Sequence, residues 1–239
     1  MPRRDRIGTM SSVRREIKAW SSEIPRVVSF LRRHGVGGAA QRLTEEVGHA
    51  LGNREAHVWY VRDLAIPQEA QVWPPGVSLV AGGEEHLHLL EMLDTVNTQE
   101  AQRRLAEGTH WWLVLEGVRP LFSCWIFHGS APVLAAPKGQ LVLPEDTVVL
   151  EDSVTTAAAR GRGIAPTAWN AIASRLHVEG STGMVTKVAV QNWPSRRAVV
   201  KAGFAEFALV RHIRIGPWSR NTVLPLNPAS TWLLDSLGT

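Results

Sequence analysis

"VTTAAARGRGIAPTAW", residues 154–169, closes a run of β-formers and opens a helix, with Arg160, Gly161, Arg162 and Gly163 at the junction. The strand side begins earlier, as "TVVLEDSVTT" over 147–156. On the helix side, Trp169, Ile172, Ala173 and Leu176 fall at i, i+3, i+4 and i+7, which predicts an amphipathic helix over 164–178. Pro166 suits its first turn, where no intrahelical N–H is lost. A glycine-bearing turn into a helix N-terminus leaves several amides unpaired, and the helix dipole adds partial positive charge. Phosphate binds at such places. Gly161 and Gly163 let a ligand approach the main chain, and Arg160 and Arg162 add charge. The loop is no Walker loop, lacking G-x-x-x-x-G-K-S/T. Nor is it G-x-G-x-x-G, because Pro166 stands three residues after Gly163.

The same alternation extends outward from this junction. "MVTKVAVQ" (184–191) is a strand, Pro194 opens a short helix that Gly203 closes, and "FAEFALVRHIRI" (204–215) reads as the last strand. Before the junction, "HWWLVLEGVRPLFSCWIFHG" (110–129) reads as a hairpin turning at Glu116-Gly117. "AHVWYVRDL" (56–64) is strand-like, and "IPQEAQVWPPGVSLVAGG" (66–83), with three prolines and three glycines, reads mostly as loop. Residues 84–107 look helical in two pieces split near Asn97. Residues 12–33 and 36–51 look like two helices broken at "HGVGG", the second carrying Leu43, Val47 and Leu51 on one stripe. A hairpin followed by alternating strands and helices predicts an α/β fold, a mixed sheet with helices on its faces. The expected organisation is a basic helical extension over 1–52, a domain over 53–216 and a C-terminal tail over 217–239.

The 239 residues are 44% hydrophobic and 20% charged, an ordinary globular composition. No apolar run approaches the roughly 20 residues of a membrane helix, and no secretory h-region is visible at the N-terminus. A single cysteine, Cys124, excludes an internal disulfide framework and cysteine-rich zinc sites. A cytoplasmic location fits. The net charge of +4 is uneven. Residues 1–33 hold nine Lys/Arg against three acids, or +6, which leaves −2 for the remainder. Such an arm reads as a solvated helix face, or as a contact for nucleic acid, anionic lipid or an acidic partner. The acidic body, without basic and aromatic interleaving, argues against nucleic acid.

Arg160, Gly163 and Ala165 match the spacing R/Q-x-x-G-x-G/A, and "NWPSRRAVVKAGF" supplies Asn192, Ser195, Lys201, Gly203 and Phe204 in the pattern N-x-x-S-x5-K-x-G-F. In this order, each on its element, the two segments resemble the GCN5-related N-acetyltransferases over about 147–215. The resemblance implies a mixed sheet in which two parallel strands, here 147–156 and 184–191, splay apart. Acetyl-CoA as acyl donor would lie in the gap. Its pantetheine would bond main-chain groups near Val154, Thr155 and Thr156. Its pyrophosphate would sit on the amides of Gly161, Arg162, Gly163, Ile164 and Ala165, with Asn192, Ser195 and Lys201 flanking the arm. A primary amine, of an amino sugar or similar small molecule, would attack the thioester directly.

That attack needs a base, because an alkyl ammonium has a pKa near ~10. It needs an oxyanion donor and a proton for the leaving thiolate. Glu151 is the favoured base and Asp152 its neighbour on the strand. His86, His88 and His128 are weaker candidates. The family's usual tyrosine lies seven residues after the asparagine, where this chain has Val199, and the only tyrosine is Tyr60. Water or another group then protonates the thiolate, or CoA leaves as the anion. His86 and His88 make a poor metal pair, so no metal is expected. Cys124 reads as a small buried hydrophobe, and Trp111, Trp112 and Trp125 as core first and substrate wall second. Longer acyl groups carried by CoA or an acyl carrier protein, a non-catalytic acyl-CoA-binding module, and a homodimer stay open.

Overall fold

Alternation and turn punctuation resolve into ten strands and five helices among the described residues, which are 53–66, 71–93, 95–215 and 218–237 of a computed structural model. The two helices and the basic arm expected over 1–52 lie outside the described residues. The chain divides into Met1–Asn53 and Arg54–Thr239, and the second unit holds everything below. In order come β1 (Asn53–Asp63), β2 (Val77–Gly82), a 3-10 turn at Glu84–Leu89 running into α1 (Leu90–Leu93), and α2 (Thr98–Ala106). Then follow β3 (His110–Glu116), β4 (Arg119–His128), β5 (Ser130–Pro132), β6 (Gln140–Val142), β7 (Thr147–Thr155) and α3 (Ile164–Val178). The chain continues through β8 (Gly183–Ala189), α4 (Trp193–Lys201), β9 (Ala205–Ile215), β10 (Trp218–Pro225) and α5 (Thr231–Leu237).

Eight strands form one sheet in the order β10-β9-β1-β8-β7-β4-β3-β2, while β5 and β6 pair separately. Among the registered pairs only β7 and β8 run parallel. β1 stands between β8 and β9, in the interior of the sheet. Its Val58, Trp59 and Tyr60 are buried in succession, as an interior strand covered on both faces requires. One face carries Tyr60, Ile126, Leu150 and Met184 under Trp169, Ile172 and Leu176 of α3 and Val199 of α4. The other carries Trp59, Trp111, Trp125, Val149 and Val185 under Leu90 and Leu93 of α1, Ala101 of α2, and Leu233 and Leu237 of α5.

Three sequence expectations change. Residues 77–82, read as loop, are edge strand β2, paired with β3. Gly82, which argued against a strand, has a packing reason, since a Cβ there would sit 2.5 Å from the Trp111 ring. The hairpin turns at Gly117 and Val118, because Glu116 still pairs with Arg119. The strand after α4 is not the last: β10 pairs with β9 along its length, and α5 buries Leu233 and Leu237. Residues 218–237 therefore belong to the sheet and its core.

The parallel register runs from Thr147↔Gly183 to Leu150↔Thr186 and stops there, although β7 continues to Thr155 and β8 to Ala189. A bulge in β7 accompanies the break. Ser123 pairs with Val154 and Trp125 with Glu151, so Asp152 and Ser153 together face Cys124. Asp152 takes the left-handed conformation at φ 49°. A bulge of this kind bends its strand and steepens its twist, and here it falls where the β7–β8 ladder ends. At the last rung the Thr186 hydroxyl donates to the Leu150 carbonyl at 2.8 Å, buried.

Removing that hydroxyl tests how firmly the end of the ladder is held. Thr186→Val keeps the shape and leaves a buried carbonyl without its partner. It should lower stability by about 1–3 kcal/mol, read as a fall in the urea midpoint, while Thr186→Ser should restore most of the loss.

Candidate functional site

The open end of the β7–β8 pair leads straight into the glycine loop. Ala159 N–H donates to Thr156 O, and Arg162 N–H donates to Ala159 O at 3.4 Å. Gly161 and Gly163 both have positive φ, 78° and 76°, and a Cβ on either would meet nothing within 4 Å. Gly163 is the residue before α3, and no side chain caps that helix. Among the described residues the amides of Gly161, Gly163, Ile164 and Ala165 have no hydrogen-bond partner. Four unpaired donors thus gather at a positive helix end, with open space beside Gly161 and Gly163. Those amides and that space fit a diphosphate.

The two loop arginines differ. Arg162 Nη2 donates to Glu116 Oε1 at 2.7 Å, so its charge is shared with the hairpin. Arg160 is exposed and donates from Nε to the Thr155 carbonyl at 3.3 Å. Thr156 is committed to β4, with both its N–H and its hydroxyl on Leu121 O. Val154 and Thr155 stay on the paired edge toward β4. Asn192 precedes α4 and accepts the Ser195 N–H at 3.2 Å, which explains the N-x-x-S spacing as a helix cap. Lys201 is in the last turn of α4, nine residues from Asn192 and roughly 13 Å along the helix. The structure brings Asn192 and Ser195 together and leaves Lys201 apart from them.

Glu151 and Lys187 are the first residues beyond the last paired rung, one on each strand. They bridge the opening: Lys187 Nζ donates to Glu151 Oε1 at 2.5 Å, with side chains 17% and 12% exposed. Burial pushes the Glu151 carboxyl up, and the Lys187 charge pulls it back. Lys187 also lies 5.9 Å from the centre of the Trp59 ring. Neighbouring His57 is driven down to about 4, first by burial and then by Lys187. Asp152 is held by Arg104 Nη1 at 2.6 Å, while Arg104 Nε donates to Glu100 at 2.8 Å. The Arg104 guanidinium lies over Trp125 and Phe127, at 5.3 and 5.2 Å. The Trp125 indole N–H is buried without a partner among the described residues. Sequence reasoning found Glu151 and Asp152 but missed Lys187, His57 and Arg104. Strand alternation within "MVTKVAV" signals that Lys187 shares a face with Val185, yet the partner across the gap depends on register.

The other candidates stand elsewhere. His86 accepts the Gly83 N–H, and His88 Nδ1 is 2.8 Å from Glu85 O, both within the 3-10 turn. The His128 ring lies 4.7 Å from that of His110, tilted by 60°, and His128 pairs with Val148, three residues before Glu151. Cys124 is fully buried, with its thiol pushed up by that burial. Tyr60 is buried too. Its hydroxyl accepts from Arg196 Nε at 2.9 Å and donates to Glu206 of β9 at 3.3 Å, so it is turned to the side of β1 away from β8. Val199 is buried in the core. No group of three or more His, Cys, Asp or Glu residues suited to a metal occurs among the described residues. No described helix is long and apolar enough to cross a membrane.

No family model and no curated protein matches the sequence. Solved structures do match the backbone. A GCN5-related N-acetyltransferase from Sphaerobacter thermophilus aligns with a TM-score of 0.51 at 14% identity, covering 82% of this chain and 60% of that one. A Drosophila protein aligns with a TM-score of 0.51 at 12% identity, covering 76% and 58%. A GCN5-related N-acetyltransferase from Kribbella flavida aligns at 0.48 and 13%, covering 74% and 64%. The chain thus spans about three fifths of the length of these structures. At such identities the match speaks for backbone architecture alone, and on that ground the chain has the fold of the GCN5-related N-acetyltransferases.

Proposed function

We propose that the protein is an acyltransferase that moves an acetyl group from acetyl-CoA to a primary amine of a small molecule. The observation that carries the reading is the open parallel pair β7/β8 running directly into four unpartnered amides. An extended pantetheine has strand edges to bond between the separated strands, and a diphosphate has donors at Gly161 to Ala165. Arg160, whose charge is not shared with an acid among the described residues, adds attraction there. Asn192 shapes the start of α4 at the far strand's end and keeps its amide N–H2 for the pantetheine.

The face bearing Glu151 supports the acceptor side. It holds a carboxylate at the opening, joined to Lys187, which lies beside the Trp59 ring. Glu151 takes the proton of the attacking amine, directly or through a water, and the amine nitrogen closes on the thioester carbon. Asp152 is committed to Arg104, so it orients the bulge instead of sharing the base role.

Three experiments test this reading. At Gly163, Asn tolerates positive φ nearly as well as Asp does, so the pair isolates charge. Gly163→Asp should bind CoA at least tenfold more weakly than Gly163→Asn by calorimetry, about 1.4 kcal/mol. Equal affinities would remove the diphosphate from this loop.

Arg160→Ala should weaken CoA binding more than Arg162→Ala does, because Glu116 already shares the Arg162 charge. The reverse order would place the phosphates elsewhere.

Glu151→Gln, assayed with acetyl-CoA and a panel of primary amines, should lower kcat by about 10²–10⁴-fold with CoA binding intact. Because burial raises the Glu151 carboxyl, wild-type activity should fall as pH drops through a value above the ordinary carboxylate range of ~4.3. That acid limb should vanish in the Gln variant, and its defect should shrink as rising pH deprotonates the amine. Near-normal turnover at neutral pH, with single-turnover acetyl transfer equally fast, would acquit Glu151.

A further inference from the structure

The leaving thiolate has no tyrosine to protonate it: Val199 fills the core, and the Tyr60 hydroxyl is bound by Arg196 and Glu206. The opening itself offers a donor. Glu151 and Lys187 are the first side chains past the last rung, one from each strand, joined across the gap. Any group entering between β7 and β8 and reaching the vertex meets both. Lys187 is a donor with three N–H bonds, of which Glu151 accepts one.

We propose that Lys187 gives its proton to the departing CoA sulfur and is recharged by Glu151, so that one ion pair serves both ends of the transfer. The inference rests on the acyl-CoA reading above. The neutral amine attacks, the C–N bond forms and the C–S bond breaks. The amine proton passes to the Glu151 carboxylate, and the Lys187 ammonium proton passes to sulfur. Glu151, now an acid, and Lys187, now an amine, are still in contact. One proton moves between them and restores carboxylate and ammonium. An amine and a thioester have become an amide and a thiol, with no net proton gained or lost.

The surroundings of Lys187 favour this cycle. From β7 it faces Glu151, with Asp152 and Arg104 behind; from β1 it faces Trp59 and His57, and Glu55 lies 3.9 Å from His57. His57 is neutral at pH 7, so it does not compete as a cation for the carboxylate. The pair is nearly enclosed, which keeps its protons from exchanging freely with bulk water.

Titration of bound CoA tests the inference without any acceptor. With CoA saturating, the ultraviolet absorbance of its thiolate is followed against pH. In the wild type an adjacent ammonium should lower the thiol pKa by at least about one unit from that of free CoA titrated alongside. Glu151→Gln should keep that shift. Lys187→Met alone would strand a buried carboxylate, so the neutral pair Lys187→Met/Glu151→Gln is used, and it should return the thiol to its free value. Lys187→Arg should keep the lowered thiol pKa, since its charge remains, yet slow acetyl transfer, since arginine does not release its proton. An unshifted thiol in the wild type, a shift that survives in the double variant, or full turnover in Lys187→Arg each overturns the inference while leaving acyl-CoA binding intact. Failure of CoA to bind the wild type overturns the acyl-CoA reading itself.

Discussion

The molecule depends on a hydrogen-bond ladder that stops early. Parallel β7 and β8 share register for four rungs, and the bulge at Asp152 and Ser153 then bends β7 out of line. Everything proposed for the site follows from that break. It opens two strand edges in the middle of the sheet, where exposed backbone donors and acceptors are otherwise rare. It also places a charged pair at the vertex, where a fully paired strand would bury apolar side chains. The bulge is held from outside the ladder. Asp152, in a conformation unfavourable for a non-glycine residue, has its carboxylate gripped by a buried guanidinium from α2. Ser153 accepts the Trp169 indole N–H of α3 at 3.2 Å on the opposite face. The two faces of the sheet thus fix the two bulged residues separately.

Buried charge is expensive, and both faces of this sheet carry it: Arg62 donates to Asn170 of α3 on one, and Arg104 is buried on the other. Glu151 and Lys187 are joined across the opening, and Arg104 is shared between Asp152 and Glu100 while stacked on two aromatic rings. Replacing such groups by well-packed apolar residues commonly leaves stability unchanged or improved. The core on the α3 and α4 face uses mainly aliphatic and aromatic packing around Trp169, Phe122 and Phe204. What sets the other face apart is an acid and a base joined across the opening, where an entering group meets both.

Much of this was legible in the sequence because it is local. The strand 147–156, the helix over 164–178 and the Asn192 cap are each specified by residues within a few positions of one another. In the structure the strand ends one residue earlier, at Thr155, and the helix spans Ile164–Val178 as expected. The glycine loop was legible for the same reason. What was hidden depends on partners far apart in the chain. β2 was masked by Gly82, whose place against Trp111 is invisible until β3 is laid beside it. The apolar run of β1 announced burial but not its seat between β8 and β9. Lys187 reads as one polar residue in a strand until the register sets it opposite Glu151.

The position of β1 also bears on how the site is held. A strand from the beginning of the described residues pairs with β8 along Asp63↔Gly183 to His57↔Ala189, past the point where β7 has left. On that stretch β8 has lost one neighbour and kept the other. Lys187 pairs with Trp59 there and projects onto the same face. A strand with both edges free would fray. With β1 on one side, β8 keeps its pairing to Ala189, while β7 leaves the parallel ladder next to its bulge and runs on toward the loop that offers the unpaired amides. The strand whose seat in the sheet the sequence left open is the one that keeps the far wall of the opening in place.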